Sequence, residues 1–163
     1  MTVYANPSFL KGPQLETVKR TPVAGWTGQA GQPVRNTDSG LVLCKSNATS
    51  MQGLLAETQA TATVATTKVK VYDIPSQNTK MIIGVTAAGA DTKALSTYLG
   101  ANFGLAVNSC VATISTGNDS NEILHVDDLL VNIEGHNNDT SDVPGFLVCS
   151  VTAAGLTAEG SGA

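Results

Sequence analysis

The sequence predicts an all-β protein, a barrel or sandwich, on three observations. Short runs rich in Val, Ile and Thr recur between clusters of Gly, Asn, Asp and Ser, the punctuation of strands and turns. Where a period can be read it is two: in TKVKVYDI, Val69 and Val71 fall on one face and Lys68 and Lys70 on the other, the pattern of a half-buried strand. Regular alternation of strands with amphipathic helices, which an α/β fold requires, is missing.

Residues 1–30 keep neither the strand nor the helix period. Pro7, Gly12, Pro13, Pro22, Gly25 and Gly28 interrupt them too often for a helix or a central strand. Yet Tyr4, Phe9, Leu10, Leu15, Val18, Val23 and Trp26 give the stretch an apolar load that a purely flexible tail does not need. The expectation is an extended N-terminal arm over 1–30 that gains order by docking on a neighbouring molecule. Fully extended, such an arm reaches on the order of 80–100 Å. The alternative is an irregular wrap around its own domain. A β-barrel body over 31–156 and a flexible C-terminal tail over 157–163 (TAEGSGA is polar) complete the expected organisation.

Within the body, the turn-like NTDSG leads into the apolar run GLVLCKS, and SMQGLLAE is a second run. TKVKVYDI follows, then the turn signal PSQN, then TKMIIGVTAAG. SCVATIST reads as a strand with Cys110, Ala112 and Ile114 on one face, closed by GNDSN. PGFLVCSVTAAG is the last, with Leu147, Cys149, Val151 and Ala153 alternating inward. ADTKALSTYLG fits a short helix capped by Asp91, with Ala94, Leu95, Tyr98 and Leu99 on a shared face. EILHVDDLLVNIEG reads as a strand only if a bulge or tight turn at Asp127–Asp128 reconciles its two halves.

Composition narrows the function. The net charge is −4 and the sequence pI about 4.9, which argues against a protein built to neutralise nucleic-acid phosphates. Charged residues are only 13% of the chain, and small and hydroxylated residues replace them. No run approaches the length of a membrane span. The opening MTVYANPSFLKGPQLETVKR lacks a basic-then-apolar leader, which predicts synthesis and retention in a cytoplasm. Charge is also polarised along the chain. Residues 1–45 carry Lys11, Lys19, Arg20, Arg35 and Lys45 against Glu16 and Asp38, while 119–163 carry acids and no Lys or Arg. Such polarity fits two surfaces with different partners, and equally fits chance solvation of loops.

Catalytic constellations are not evident. Cys44, Cys110 and Cys149 are odd in number and widely spaced, as expected of reduced, buried thiols. His125 and His136 are the only imidazoles, and no G-x-S-x-G elbow or phosphate-binding glycine loop accompanies them. Both histidines read as structural, with no close ligand pair for zinc. Asp127–Asp128 and the loop Asn137–Asp142 offer oxygen ligands of the kind calcium accepts, without the EF-hand spacing; an Asx-rich turn is the simpler reading. A carbohydrate site usually presents several aromatic platforms, and this chain has one Trp. The expectation is a non-enzymatic protein without cofactor or metal.

One stretch adds a family likeness. Residues 20–60 contain Gly31-Gln32-Pro33-Val34-Arg35, Ser39-Gly40-Leu41-Val42 and Gly53-Leu54-Leu55-Ala56-Glu57, and lead on to Val69-Lys70-Val71. In this succession the chain resembles the opening of small capsid decoration (cement) proteins of tailed bacteriophages; Pro33 stands where a bulky apolar residue is expected. The resemblance implies a β-barrel or β-tulip body and an N-terminal arm lying on the outer surface of the virion's shell. It also implies oligomers, often homotrimers, at junctions between major capsid protein subunits, bridging and stabilising them; charge and hydropathy, as above, predict neither nucleic acid nor membrane as partner. On that reading Tyr4, Phe9, Leu10 and Trp26 are apolar anchors of the arm. Lys19, Arg20 and Arg35 pair with capsid carboxylates. A phage tail or head-fibre component and a carbohydrate-binding adhesive β-domain are the alternatives.

Overall fold

The computed structural model describes residues 6–10, 16–85, 96–108, 111–115, 121–129 and 146–157. The fold is all-β, built from two antiparallel sheets. The first thirty residues supply β1 (Ser8–Phe9) and β2 (Thr17–Arg20), followed by β3 (Pro33–Thr37), β4 (Gly40–Leu43), β5 (Gly53–Leu55) and β6 (Val69–Asp73). Then come β7 (Met81–Gly84), a 3₁₀ turn (Ser96–Tyr98), β8 (Asn102–Asn108), β9 (Val111–Ser115), β10 (Leu124–Leu129), β11 (Phe146–Val151) and a short helix α1 (Ala153–Thr157). One sheet has the order β1-β7-β11-β10-β8-β9, the other β2-β6-β5-β3-β4.

Each sheet curls until its ends approach. In the larger, Val85 just after β7 meets Ile114 of β9 at an isolated parallel bridge. In the smaller, the chain leaving β2 runs along the outer edge of β4. There Leu41 donates to the Thr21 carbonyl (3.0 Å), Val23 donates back to the Leu41 carbonyl (2.9 Å), and Pro22 bridges Leu41. Among the described residues neither closure extends to a continuous ladder.

Period-two patterning places the cores. Val69 and Val71 are buried as their alternation requires, and Lys70 on the other face is only partly covered. With Val34, Leu41 and Leu55 they form a small core, against which Trp26 and Leu43 pack. The larger core collects Met81, Ile83, Leu105, Ile114, Leu124, Val126 and Leu147, and takes in Leu54 from the other sheet and Met51 from the segment leading into β5. Phe9 of β1 meets Tyr72 of β6 edge-to-face at 5.8 Å, a second tie between the sheets. Pro33 opens β3, a position where its missing N–H costs no ladder bond, while its carbonyl accepts from Cys44 at 2.9 Å.

Several expectations are met and several corrected. The bulge lies at Asp127: β10 pairs β11 with a register shift between Val126 and Asp128, so Leu124, Val126 and Leu129 are all buried. β8, in ANFGLAVN, was not legible as a strand. The helix expected over ADTKALSTYLG is a 3₁₀ turn where it is described; Tyr98 packs on Phe103, but Leu99 is exposed, so the two do not share a face. The last strand stops at Val151 and the chain turns into α1, leaving Ala153 exposed on a helix. Thr157 closes that helix, and 158–163 lie outside the described residues.

The largest difference concerns the arm. Its described parts, 6–10 and 16–30, lie on the chain's own body: β1 pairs β7, β2 pairs β6, and Gly28 exchanges backbone hydrogen bonds with Gln59 at 3.0 and 2.8 Å. The physical reason is reciprocal satisfaction. The segment's peptide groups find partners on open strand edges, and its apolar side chains cover the small core.

Candidate functional site

The site is built around the β3–β4 hairpin. Its register pairs Val34 with Leu43, Arg35 with Val42, Asn36 with Leu41 and Thr37 with Gly40, leaving Asp38–Ser39 as a two-residue loop. Thr37 Oγ1 donates to the Gly40 carbonyl at 2.7 Å and accepts from the Ser39 amide at 3.3 Å. Gly40 has φ +128, and a Cβ there would stand 2.9 Å from the Thr21 carbonyl oxygen, so glycine is required. Alternation turns Val34, Leu41 and Leu43 toward the small core and Arg35 and Val42 to the opposite face.

Arg35 is nevertheless buried, because residues 44–50 fold over that face. Asn47 adopts φ +58, a left-handed conformation that Asn tolerates. Its amide donates to the Leu105 carbonyl at 2.8 Å, and Asn121 donates to it twice, each at 3.0 Å. Ser46 Oγ donates to the Val107 carbonyl (3.1 Å) and accepts from the Val107 amide (2.8 Å). The segment is thus a strap from the hairpin to β8.

Two concavities flank β4 as a result. One, of about 430 Å³, is lined by Arg35, Lys45, Thr49 and the hairpin residues Thr37 and Val42. The other, of about 620 Å³, is lined by Trp26, Gln32, Cys44 and Val107. Val42, Leu43, Lys45 and Ser46 are common to both. Arg35 Nη1 donates to Thr49 Oγ1 at 3.4 Å. Burial pushes the Cys44 thiol up to about 12, against the lowering influence of the Arg35 charge. Its Sγ donates to the Ser50 carbonyl at 3.4 Å.

Of the residues singled out in the sequence, Trp26 and Arg35 therefore meet around β4. Trp26 is half-buried; its Nε1 donates to the Leu41 carbonyl at 3.3 Å. The others are placed elsewhere. Phe9 and Leu10 lie along β7, Leu10 donating to the Lys80 carbonyl at 3.0 Å. Lys19 is exposed on β2, directly opposite Lys70. Arg20 forms an ion pair with Asp73. Tyr4, Cys110, His136 and the loop Asn137–Asp142 are outside the described residues. Lys45 and Thr49 were missed as site residues, since only the long-range strap brings them to Arg35 and no local spacing signals it.

A third, polar cavity of about 450 Å³ lies on the larger sheet. His125 Nδ1 stands 2.7 Å from Asn102 Oδ1, and Lys80 Nζ is 2.9 Å from Asp127 Oδ1; the other carboxylate oxygen of Asp127, Oδ2, is buried with no hydrogen-bond partner among the described residues. Cys149 beneath is buried, its thiol raised by desolvation and then by the Asp127 charge. Among the described residues no three His, Cys, Asp or Glu side chains group as a metal site. Compared with known proteins, the chain matches no family model, and neither a curated protein nor a solved structure shows significant similarity to it.

Proposed function

We propose that this chain is a non-enzymatic structural protein of a tailed-phage virion that binds the outer surface of the capsid and stabilises it by bridging major capsid protein subunits, acting as a homotrimer. The observation carrying the reading is where the cement-protein motif pieces fall. The G-Q-x-V-R, S-G-L-V, G-L-L-A-E and V-x-V pieces overlap β3, β4, β5 and β6 in turn, four strands that pair within one sheet. The pieces on which the resemblance rests therefore lie side by side in the fold, which supports the reading. Binding only the assembled shell raises its stability by mass action, about 4 kcal/mol at a thousandfold excess over Kd, and three linked subunits add avidity. The exposed residues Thr17, Val18 and Lys19 of β2 and the concavities beside β4 are the surfaces offered to the shell.

The test is to add the purified chain to capsids lacking decoration, image occupancy, and measure the temperature at which shells release DNA. Regular density at subunit junctions and a raised release temperature are expected; bare shells at saturating chain concentration overturn the proposal. The polar cavity around His125 favours a second reading, a carbohydrate-binding adhesive domain, because a buried Asp127 oxygen with no partner among the described residues is an acceptor suited to sugar hydroxyls. Glycan-array binding that is lost in Asp127→Asn would support it.

A further inference from the structure

We propose that the cavity beneath the β3–β4 hairpin is a carboxylate-binding pocket that receives an acidic side chain from a partner polypeptide. Arg35 carries the argument. Its side chain lines the cavity, the residue is only 9% exposed, and among the described residues its hydrogen bond is a long one to a neutral hydroxyl, Thr49 Oγ1 at 3.4 Å. The ion pairs of the described residues use Arg20, Lys70 and Lys80, not Arg35. A guanidinium does not shed its proton at neutral pH, and a buried charge without a counter-ion is costly. The structure therefore keeps a largely covered cation facing an opening, with no counter-ion among the described residues.

The surroundings select the occupant. Lys45 adds a second cation to the wall, while among the described residues no acidic side chain lines the cavity; Asp38 at the hairpin tip is exposed and does not line it. The planar fork of Arg35 matches the two oxygens of a carboxylate. Val23, Val42 and Ala48 on the same wall suit the methylene stem of a Glu side chain. A nucleic acid would need a track of cations along its backbone, and here there are two on a chain of net charge −4. In naming a shell protein's acidic segment as the natural occupant the inference rests on the decoration reading; the pocket's preference for a carboxylate does not.

The experiment titrates the full-length, isotope-labelled chain with hexaglutamate, hexaglutamine and inorganic sulfate, following the amide signals of residues 45–49. Hexaglutamate is expected to shift them saturably and salt-sensitively, hexaglutamine not at all. Arg35→Lys, which keeps the charge and loses the fork, is expected to weaken binding about tenfold or more. Lys45→Gln, at an exposed position that threatens the fold least, is expected to weaken it several-fold, with both variants checked for native circular dichroism. Equal shifts by hexaglutamine, sulfate binding without hexaglutamate binding, or affinity indifferent to both variants would overturn the pocket. A chain that coats shells yet ignores hexaglutamate refutes only this inference; one that binds hexaglutamate yet leaves shells bare refutes only the decoration reading.

Discussion

Thr63 clasps Trp26 through both its backbone and its hydroxyl. The Trp26 amide donates to Thr63 Oγ1 at 3.2 Å and the Thr63 amide donates to the Trp26 carbonyl at 2.9 Å. The same hydroxyl donates onward to the Val23 carbonyl at 2.7 Å, and Gly25 donates to the Thr63 carbonyl at 2.8 Å. One buried threonine thereby pins the lid over the small core. Thr63→Val keeps the shape and removes the hydroxyl, stranding the Val23 carbonyl and the Trp26 amide. A loss of about 1–3 kcal/mol is expected, read by urea unfolding with Trp26, the single tryptophan, as the fluorophore. Unchanged stability would show that the lid does not depend on this clasp.

Gly53 has no room for a methyl group. It sits in β5 between Val34 of β3 and Asp73 of β6, and a Cβ would stand 2.7 Å from both the Tyr72 carbonyl oxygen and Val71 Cγ1. The first of these is backbone and cannot rotate away. Gly53→Ala is therefore expected to destabilise toward the upper end of the roughly 1–3 kcal/mol seen for overpacked cores. A lowered urea midpoint at unchanged slope is the check.

Cys44 and Cys149 set an alkaline limit. Both thiols are raised by burial above their ordinary value of 9.0, Cys44 to about 12. Above pH 9 the unfolded chain loses these protons while the folded chain keeps them, so unfolding releases protons and stability falls as pH rises toward 12. The expected slope is up to ~1.4 kcal/mol per pH unit for each thiol. Measured in a Cys110→Ser background, which removes the third thiol, stability should fall through this window; loss of the Lys70–Glu57 pairing, whose hydrogen bond raises Lys70, acts in the same direction. Both thiols should also resist iodoacetamide at pH 8 until denaturant is added. Rapid alkylation of the native chain would contradict the burial.

Lys19 and Lys70 face each other across the β2–β6 ladder, an arrangement that costs stability because like charges stand opposite. Lys70 is relieved by Glu57 at 2.7 Å; Lys19 is exposed. Lys19→Glu removes the repulsion, so thermal stability should hold or rise slightly. Under the proposed function the same change should lower shell occupancy several-fold, since a cation offered to the shell becomes an anion. Full occupancy by this variant would remove β2 from the contact surface.

How much of this was legible in the sequence depends on how local each signal is. The strands of the body announced themselves because alternation and turn residues are short-range patterns: Val69 and Val71 inward, PSQN turning, the Asp127 bulge demanded by an otherwise inconsistent register. β8 escaped because Gly104 and Ala106 dilute its alternation. β1 and β2 escaped because prolines and glycines flank them, and their pairing partners lie far along the chain. The pocket was half legible for the same reason. Arg35 and Trp26 carried recognisable chemistry, but the strap that buries Arg35 and delivers Lys45 exists only through bonds from Ser46 and Asn47 to residues on β8 and beyond.

Deleting residues 2–30 distinguishes a wrap from an arm most directly. The deletion removes β2, the Thr21–Val23 contact along β4, and Trp26 over the small core. Val34, Leu41, Leu55, Val69 and Val71 would lose cover, and three edges, those of β4, β6 and β7, would open at once. Exposing a large aliphatic side chain costs about 1.5–3 kcal/mol. Uncovering even two or three therefore rivals the roughly 5–15 kcal/mol that holds a whole domain folded. The truncated chain is expected to aggregate or to bind a hydrophobic dye and lose its sharp unfolding transition. If it stays soluble and unfolds as cooperatively as the full chain, these residues contribute nothing to the body and are free to engage a neighbour, and the contacts described for β2 and Trp26 are not what holds the small core together.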